Sequence, residues 1–179
     1  RLSQSDVPLF FMAGNRDFLA GDGFASKAGL TLLPDPALVE IAGASVLLMH
    51  GDTLCTDDDA YQMFRTEVRS PEWRKSFLAL PLDQRKAKIE ALRQESEAQK
   101  RAKPAEIMDV NPAAVLQVLT SHRCTRLIHG HTHRPALHRL AVAGEACERW
   151  VLPDWYESGG YLACDASGCR LLEGPPAAV

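Results

Sequence analysis

RLIHGHTHRPALH, residues 126–138, places four of the chain's six histidines, His129, His131, His133 and His138, directly behind a short apolar run. An apolar run of strand length that stops abruptly in polar, metal-competent residues is how a strand buried on both faces meets a functional loop. In open α/β sheets chemistry gathers where such strands end. The same grammar occurs twice more, in PLFFMAGNRD (8–17) and SVLLMHGD (45–52). Three such runs predict an α/β fold in which Asn15, His50 and the His131/His133 pair converge on one rim. Any one of them alone would read as a polar strand-end residue bonding its own loop. In an extended segment residues two apart point the same way, so His131 and His133 are expected to face one site while Thr132 points away. Histidine nitrogen with asparagine oxygen and no thiolate suits Mn, Fe, Zn or a similar divalent ion. His129 is out of step with that pair and is expected to pack or bond locally.

With 179 residues, 46% hydrophobic and 24% charged, the chain is expected to form one globular domain with its own core. A formal charge of -3 excludes a general nucleic-acid binder, which carries a broad basic excess to neutralise phosphates. Five scattered cysteines without a C-x-x-C pair indicate neither a disulfide framework nor a zinc ribbon. A reducing cytosol fits that usage, and there a bridge between Cys164 and Cys169 is not expected. No apolar segment approaches the roughly 18 residues of a membrane-spanning helix, and no secretory leader is expected.

Helix signals fill the middle of the chain. TDDDAYQMFRTEVR (56–69) opens with a Thr/Asp cap and repeats Tyr61, Phe64 and Val68 at three- and four-residue spacing. Residues 83–103 are rich in helix formers, with only a thin stripe of Ile89 and Leu92. NPAAVLQVLTSH (111–122) carries proline just inside its start. From Cys147 onward, short β-rich runs separated by S-G-G and D-A-S-G turns predict hairpins.

GNRDF (14–18), MHGDTLCTDD (49–58), IMDVN (107–111) and HGHTHRPA (129–136) resemble, in order and spacing, the motif blocks of the calcineurin-like metallophosphoesterases. Within them, the wording is similar to the UDP-2,3-diacylglucosamine pyrophosphatase family of lipid A synthesis. That resemblance covers residues 8–136 and implies a four-layer αββα sandwich with a helical insertion cap over 65–105, all within one domain spanning 1–179. It also implies a binuclear centre, usually of Mn ions. Asn15, His50 and His131 would hold one ion and His133 would reach the other. Asn15, Arg16 and His131 would stand at the reaction centre. Substrate would be held by Asn15, Arg16, Asp58, Ser96, Lys100, Lys103 and His131. The reaction implied is metal-assisted water attack on the α-phosphate of the UDP-sugar, releasing UMP and 2,3-diacylglucosamine 1-phosphate. The place implied is the cytoplasmic face of a Gram-negative inner membrane, with the lipid substrate as partner, no nucleic acid and no obligate protein partner. The family begins with D-x-H and G-D-x-x-[DE] blocks that complete the second ion's ligands. Neither precedes Asn15, so the chain is expected to start about one βαβαβ stretch late.

Residues 65–103 carry eleven Lys/Arg against six Asp/Glu, a local excess of +5 in a chain of net charge -3. They include SPEWRKSFLALPL (70–82), where Trp73, Phe77, Leu78, Leu80 and Leu82 accompany Arg74 and Lys75. Such a mixture suits acyl chains beneath anionic headgroups, and it equally suits the buried stripe and solvated face of a helical insertion. Ser96, Lys100 and Lys103 stand at offsets of four and three and can share a helical face. Two alternatives stay open at this point: a phosphoesterase acting on a soluble nucleotide or phosphodiester, and a catalytically incomplete module that binds lipid.

Overall fold

SVLLM and RLIH become adjacent parallel strands inside a five-stranded sheet in the computed structural model, which describes residues 7–104, 107–155 and 159–174, without the side chains of Lys100 and Ala102. The elements run β1 (Phe10–Met12), α1 (Asp22–Ala28), β2 (Thr31–Leu33), β3 (Ala37–Ile41), β4 (Ala44–Met49), α2 (Asp59–Val68), α3 (Pro71–Ala79) and α4 (Leu82–Ala102). They continue with α5 (Pro112–His122), β5 (Arg126–His129), β6 (Ala136–Val142), β7 (Glu145–Val151), β8 (Gly160–Asp165) and β9 (Gly168–Glu173). The chain divides into two units, Arg1–Asp52 with Pro112–Val179, and Thr53–Asn111.

In the first unit the large sheet has the order β3-β4-β5-β7-β6. Its three central strands are parallel, and an antiparallel hairpin closes each end. This is a mixed sheet with helices, an α/β fold as expected. Side chains alternate between its faces. Val46, Ile128 and Trp150 point one way and pack with Leu48, Leu137 and Leu152, and with Leu162, Cys164, Cys169 and Leu171 of the separate β8-β9 hairpin. Leu47, Leu127, His129 and Val151 take the other parity and are also buried. Val46, Leu47 and Leu127 are fully inaccessible (0%), each burial contributing about 1.5–3 kcal/mol. The runs of β4 and β5 therefore read as continuous apolar stretches because neither face meets water.

The first apolar run departs from this pattern. Among the described residues β1 joins β2 alone, in a two-stranded parallel pair, and Phe10 is 61% exposed. It is not one of three equivalent core strands.

Hairpins begin earlier than the turn signals suggested. β3-β4 turns through Ala42 and Gly43 (φ 51 and 77), and β6-β7 through Ala143 and Gly144 (φ 51 and 87). Two successive positive φ values form the turn whose twist matches paired strands, and glycine takes the second place without strain. The expected S-G-G turn lies partly outside the described residues, whereas the D-A-S-G turn joins β8 to β9.

Cys164 and Cys169 are direct cross-strand neighbours in that hairpin and form a disulfide. This corrects the expectation of free thiols: strand register, which scattered cysteine spacing conceals, brings the pair together. Cys55, Cys124 and Cys147 are buried thiols outside any disulfide, and burial pushes the Cys124 thiol up, with Cys147 adding to the shift. Denatured, unreduced protein is therefore expected to titrate three thiols per chain, rising to five after reduction; five without reductant would exclude the bridge.

The second unit is helical. Asp58 caps α2 by accepting from the Tyr61 amide, and Ser70 caps α3 by accepting from Trp73, with Pro71 at the first helical position. α3 ends at Leu80-Pro81, where the residue before proline turns extended. α4 buries little, Ile89 and Leu92 being only half-buried, so its thin stripe was legible. The Trp73 and Phe77 rings stack at 4.7 Å, with the Lys88 ammonium 5.7 Å above Trp73. Among the described residues no helix is long and apolar enough to cross a membrane.

Candidate metal centre

Register builds the site. Met49 pairs with His129 across β4 and β5, so the next residues, His50 and Gly130, leave the sheet side by side, and the Gly130 amide donates to the His50 carbonyl at 3.0 Å. The His50 amide in turn donates to the Asp35 carboxylate at 3.2 Å. Its ring lies beneath the GNRD turn, where Nε2 accepts from the Asn15 amide at 3.2 Å. Gly14 permits this approach, since a Cβ there would stand 2.8 Å from the imidazole Cε1. The turn is closed by the Gly14 amide donating to Asp17, and it leaves Asn15 and Arg16 exposed.

The His131 ring stands edge-on to His50, with centroids 5.0 Å apart. His133 is more exposed, and its Nδ1 lies 3.2 Å from Asp154 Oδ2. The expected convergence of Asn15, His50 and His131 is thus present at the level of the GNRD amide and two imidazoles. The expected reason for the H-x-H pairing is not. β5 ends at His129, and His131 and His133 both occupy the left-handed region, φ 67 and 54. Two-residue alternation does not apply to them. A tight turn carries both histidines, at a conformational cost of about 1–3 kcal/mol each that surrounding bonds must offset. Among the described residues no three His, Cys, Asp or Glu side chains converge as a ligand set.

Burial, then the neighbouring His50 imidazole, lower the His131 pKa from 6.5 to about 4, against an opposing pull from Asp52. The ring is neutral at neutral pH and keeps a lone pair for a cation. In metal-free protein the His131 ring shifts should titrate near pH 4 rather than 6.5, read by carbon-proton NMR. A midpoint above 6 would refute the burial argument.

Asp154 and Asp35 were not anticipated. β7 lies parallel to β5 with His129 opposite Val151, so Asp154 follows a strand end on the same rim. The run RWVLPD, apolar residues stopping at an acid, carried that signal.

In the second unit, Lys103 Nζ contacts both Asp58 carboxylate oxygens, at 2.6 and 2.8 Å, with the two side chains 22% and 11% exposed. α4 ends before Lys103, which is extended, so Ser96, Lys100 and Lys103 do not continue one helical face. Ser96 is exposed, and the Lys100 side chain lies outside the described residues. IMDVN is tied back to HGDTLCTDD: Asn111 donates from its amide to Leu54 O at 2.8 Å and from Nδ2 to Asp57 at 2.7 Å. Asp58→Ala removes a helix cap and leaves Lys103 without its carboxylate, an expected cost of about 2 kcal/mol in urea denaturation. Asp58→Asn keeps the cap acceptor and should cost about half as much.

Imidazoles set at the ends of neighbouring parallel strands define an α/β protein with a strand-end site. No family model matches the chain. It is 51% identical over 178 residues to a UDP-2,3-diacylglucosamine hydrolase of Aromatoleum aromaticum, covering 99% of this chain and 70% of that relative. Relatives with the same name in Xanthomonas axonopodis pv. citri (47% over 177 residues) and Aeromonas hydrophila (49% over 170) each span 95% of this chain, and 72% and 70% of their own length. The chain belongs to the UDP-2,3-diacylglucosamine hydrolase family.

Proposed function

We propose that this chain hydrolyses the pyrophosphate bond of UDP-2,3-diacylglucosamine, water attacking the α-phosphate to release UMP and 2,3-diacylglucosamine 1-phosphate. The observation that carries the proposal is the His50-His131 pair, two imidazoles 5.0 Å apart beside the GNRD turn, in a chain whose relatives bear that substrate in their name. In this reading the fold is the metallophosphoesterase αββα sandwich, with residues 65–105 as its helical insertion cap.

The donors fit a divalent ion of the Mn class: neutral imidazole nitrogen and amide oxygen, with no thiolate. Asn15, His50 and His131 would hold one ion and His133 would reach a second. When bound, such ions lower the pKa of coordinated water and polarise a phosphoryl oxygen. The residues of the chain supply the rest. In the metal-free chain the Asn15 backbone amide orients the His50 ring through Nε2, the lone pair that an ion would take over. Arg16, exposed on the same turn, offers a forked donor to phosphate. Asp58, Ser96, Lys100 and Lys103 are the further substrate contacts of this reading. The basic excess of 65–103, with Leu78 and Leu82 at 44% and 56% exposure, suits acyl chains and an anionic inner-membrane surface.

The test is UMP release from UDP-2,3-diacylglucosamine by chelator-treated protein with Mn restored. Turnover that depends on added Mn is expected. Folded protein that binds Mn yet releases no UMP would overturn the proposal.

A further inference from the structure

The GHTH turn is held by a histidine that does not belong to the proposed ligand set. His129 is wholly inaccessible (0%), and a buried imidazole needs partners for both ring nitrogens. It has them. Nδ1 lies 2.9 Å from the Gly130 carbonyl and Nε2 3.4 Å from Arg149 Nη1. A guanidinium only donates, so Nε2 accepts; the proton then sits on Nδ1, which donates to Gly130 O. One tautomer satisfies both contacts.

Gly130 is tied on every side. Its carbonyl also accepts from the Thr132 amide at 2.8 Å, and its own amide donates to His50 O at 3.0 Å. The peptide so fixed immediately precedes His131, whose left-handed φ of 67 would not persist without external restraint. Gly51, at φ 108, leaves the room this requires, since a Cβ there would stand 2.8 Å from His129 Nδ1. The HG of residues 50–51 and the HGH of 129–131 are thus fitted to each other through the His129 ring.

We propose that His129, oriented by Arg149, is a positioning residue: its Nδ1–H pins the Gly130 carbonyl and so sets the turn that presents His131. This rests on the metal reading of His131 only for its consequence, metal affinity; the turn itself is tested without metal.

Nitrogen-15 shifts of the His129 ring in metal-free wild-type protein are expected to show the proton on Nδ1. A proton on Nε2 would overturn the proposal without any mutation. In His129→Ala the Gly130 and Thr132 amides and the His131 ring should shift, and Mn affinity should fall about 10–100-fold. His129→Asn, whose amide nitrogen occupies the place of Nδ1, should restore Mn affinity to within a few-fold. Equal losses in both variants, or a His129→Ala protein that binds Mn like wild type while His131→Ala does not, would also overturn it. If His131→Ala leaves Mn binding intact, the metal reading fails, while the wild-type tautomer and the metal-free shifts still decide the role of His129.

Discussion

His131→Ala is expected to lower Mn-dependent hydrolysis of UDP-2,3-diacylglucosamine by more than about 100-fold while changing the melting temperature little. Loss of a partner that merely orients a metal ligand costs about 10–100-fold, so loss of a ligand itself should exceed that range. The small stability change follows from the ring's position. It lies half-buried beyond the end of β5, outside the apolar clusters of the sheet, and makes an edge contact with His50 rather than filling a core. Holding the ring neutral costs the fold only where the unfolded chain would protonate it, since burial and His50 oppose its protonation. Between about pH 4 and 6.5 the unfolded chain binds the proton more readily, so this histidine makes stability rise with pH across that window. Alanine removes that dependence. Activity and calorimetry on the same preparation separate the two effects, and turnover within tenfold of wild type would remove His131 from the reaction.

The strands that carry this site were legible because they are buried on both faces. β4 and β5 have no polar alternation to confuse their reading, and a strand of that kind must end where polar residues resume. The start of α2 was legible through its Thr/Asp cap signal, where Asp58 supplies the acceptor; α3 opens on a similar Ser70-Pro71 start that was not read as a boundary. Three features were not. The hairpins flanking the sheet turn on Ala-Gly rather than Asn-Gly or Asp-Gly, so the strongest short-range turn signal is missing, and β3 and β6 went unread with it. The left-handed φ of His131 leaves no mark on composition, because the bonds that hold the preceding peptide come from Gly130, His50, His129 and Thr132 rather than from the residue that adopts it. Lys103 looked like the next step of a helical face, yet its partner Asp58 is 45 residues away and α4 stops one residue short. Local pattern finds elements; the pairings that aim side chains are long-range.

Gly51→Ala is expected to be the most destabilising single substitution near the site, and it tests how tightly the two histidine motifs interlock. At φ 108 an L residue is strained, about 1–3 kcal/mol, and the added Cβ would meet His129 Nδ1 at 2.8 Å and Gly130 O at 3.2 Å, a clash worth a similar amount. Neither neighbour yields easily, since one is a fully buried ring and the other is backbone already accepting two hydrogen bonds. A loss of about 2–5 kcal/mol, or roughly 5–15 °C in melting temperature for a chain of this size, should result. Gly130→Ala is the contrasting case. Its Cβ would have only His50 O nearby, at an ordinary 3.7 Å, and its φ is not in the left-handed region. That variant should melt within a few degrees of wild type, and the restricted unfolded chain favours a slight gain. Equal melting losses at the two positions would mean that glycine's flexibility, rather than the space taken by His129, is what the loop requires. A large loss at Gly51 alone is what its left-handed φ and the space taken by the buried His129 ring together require.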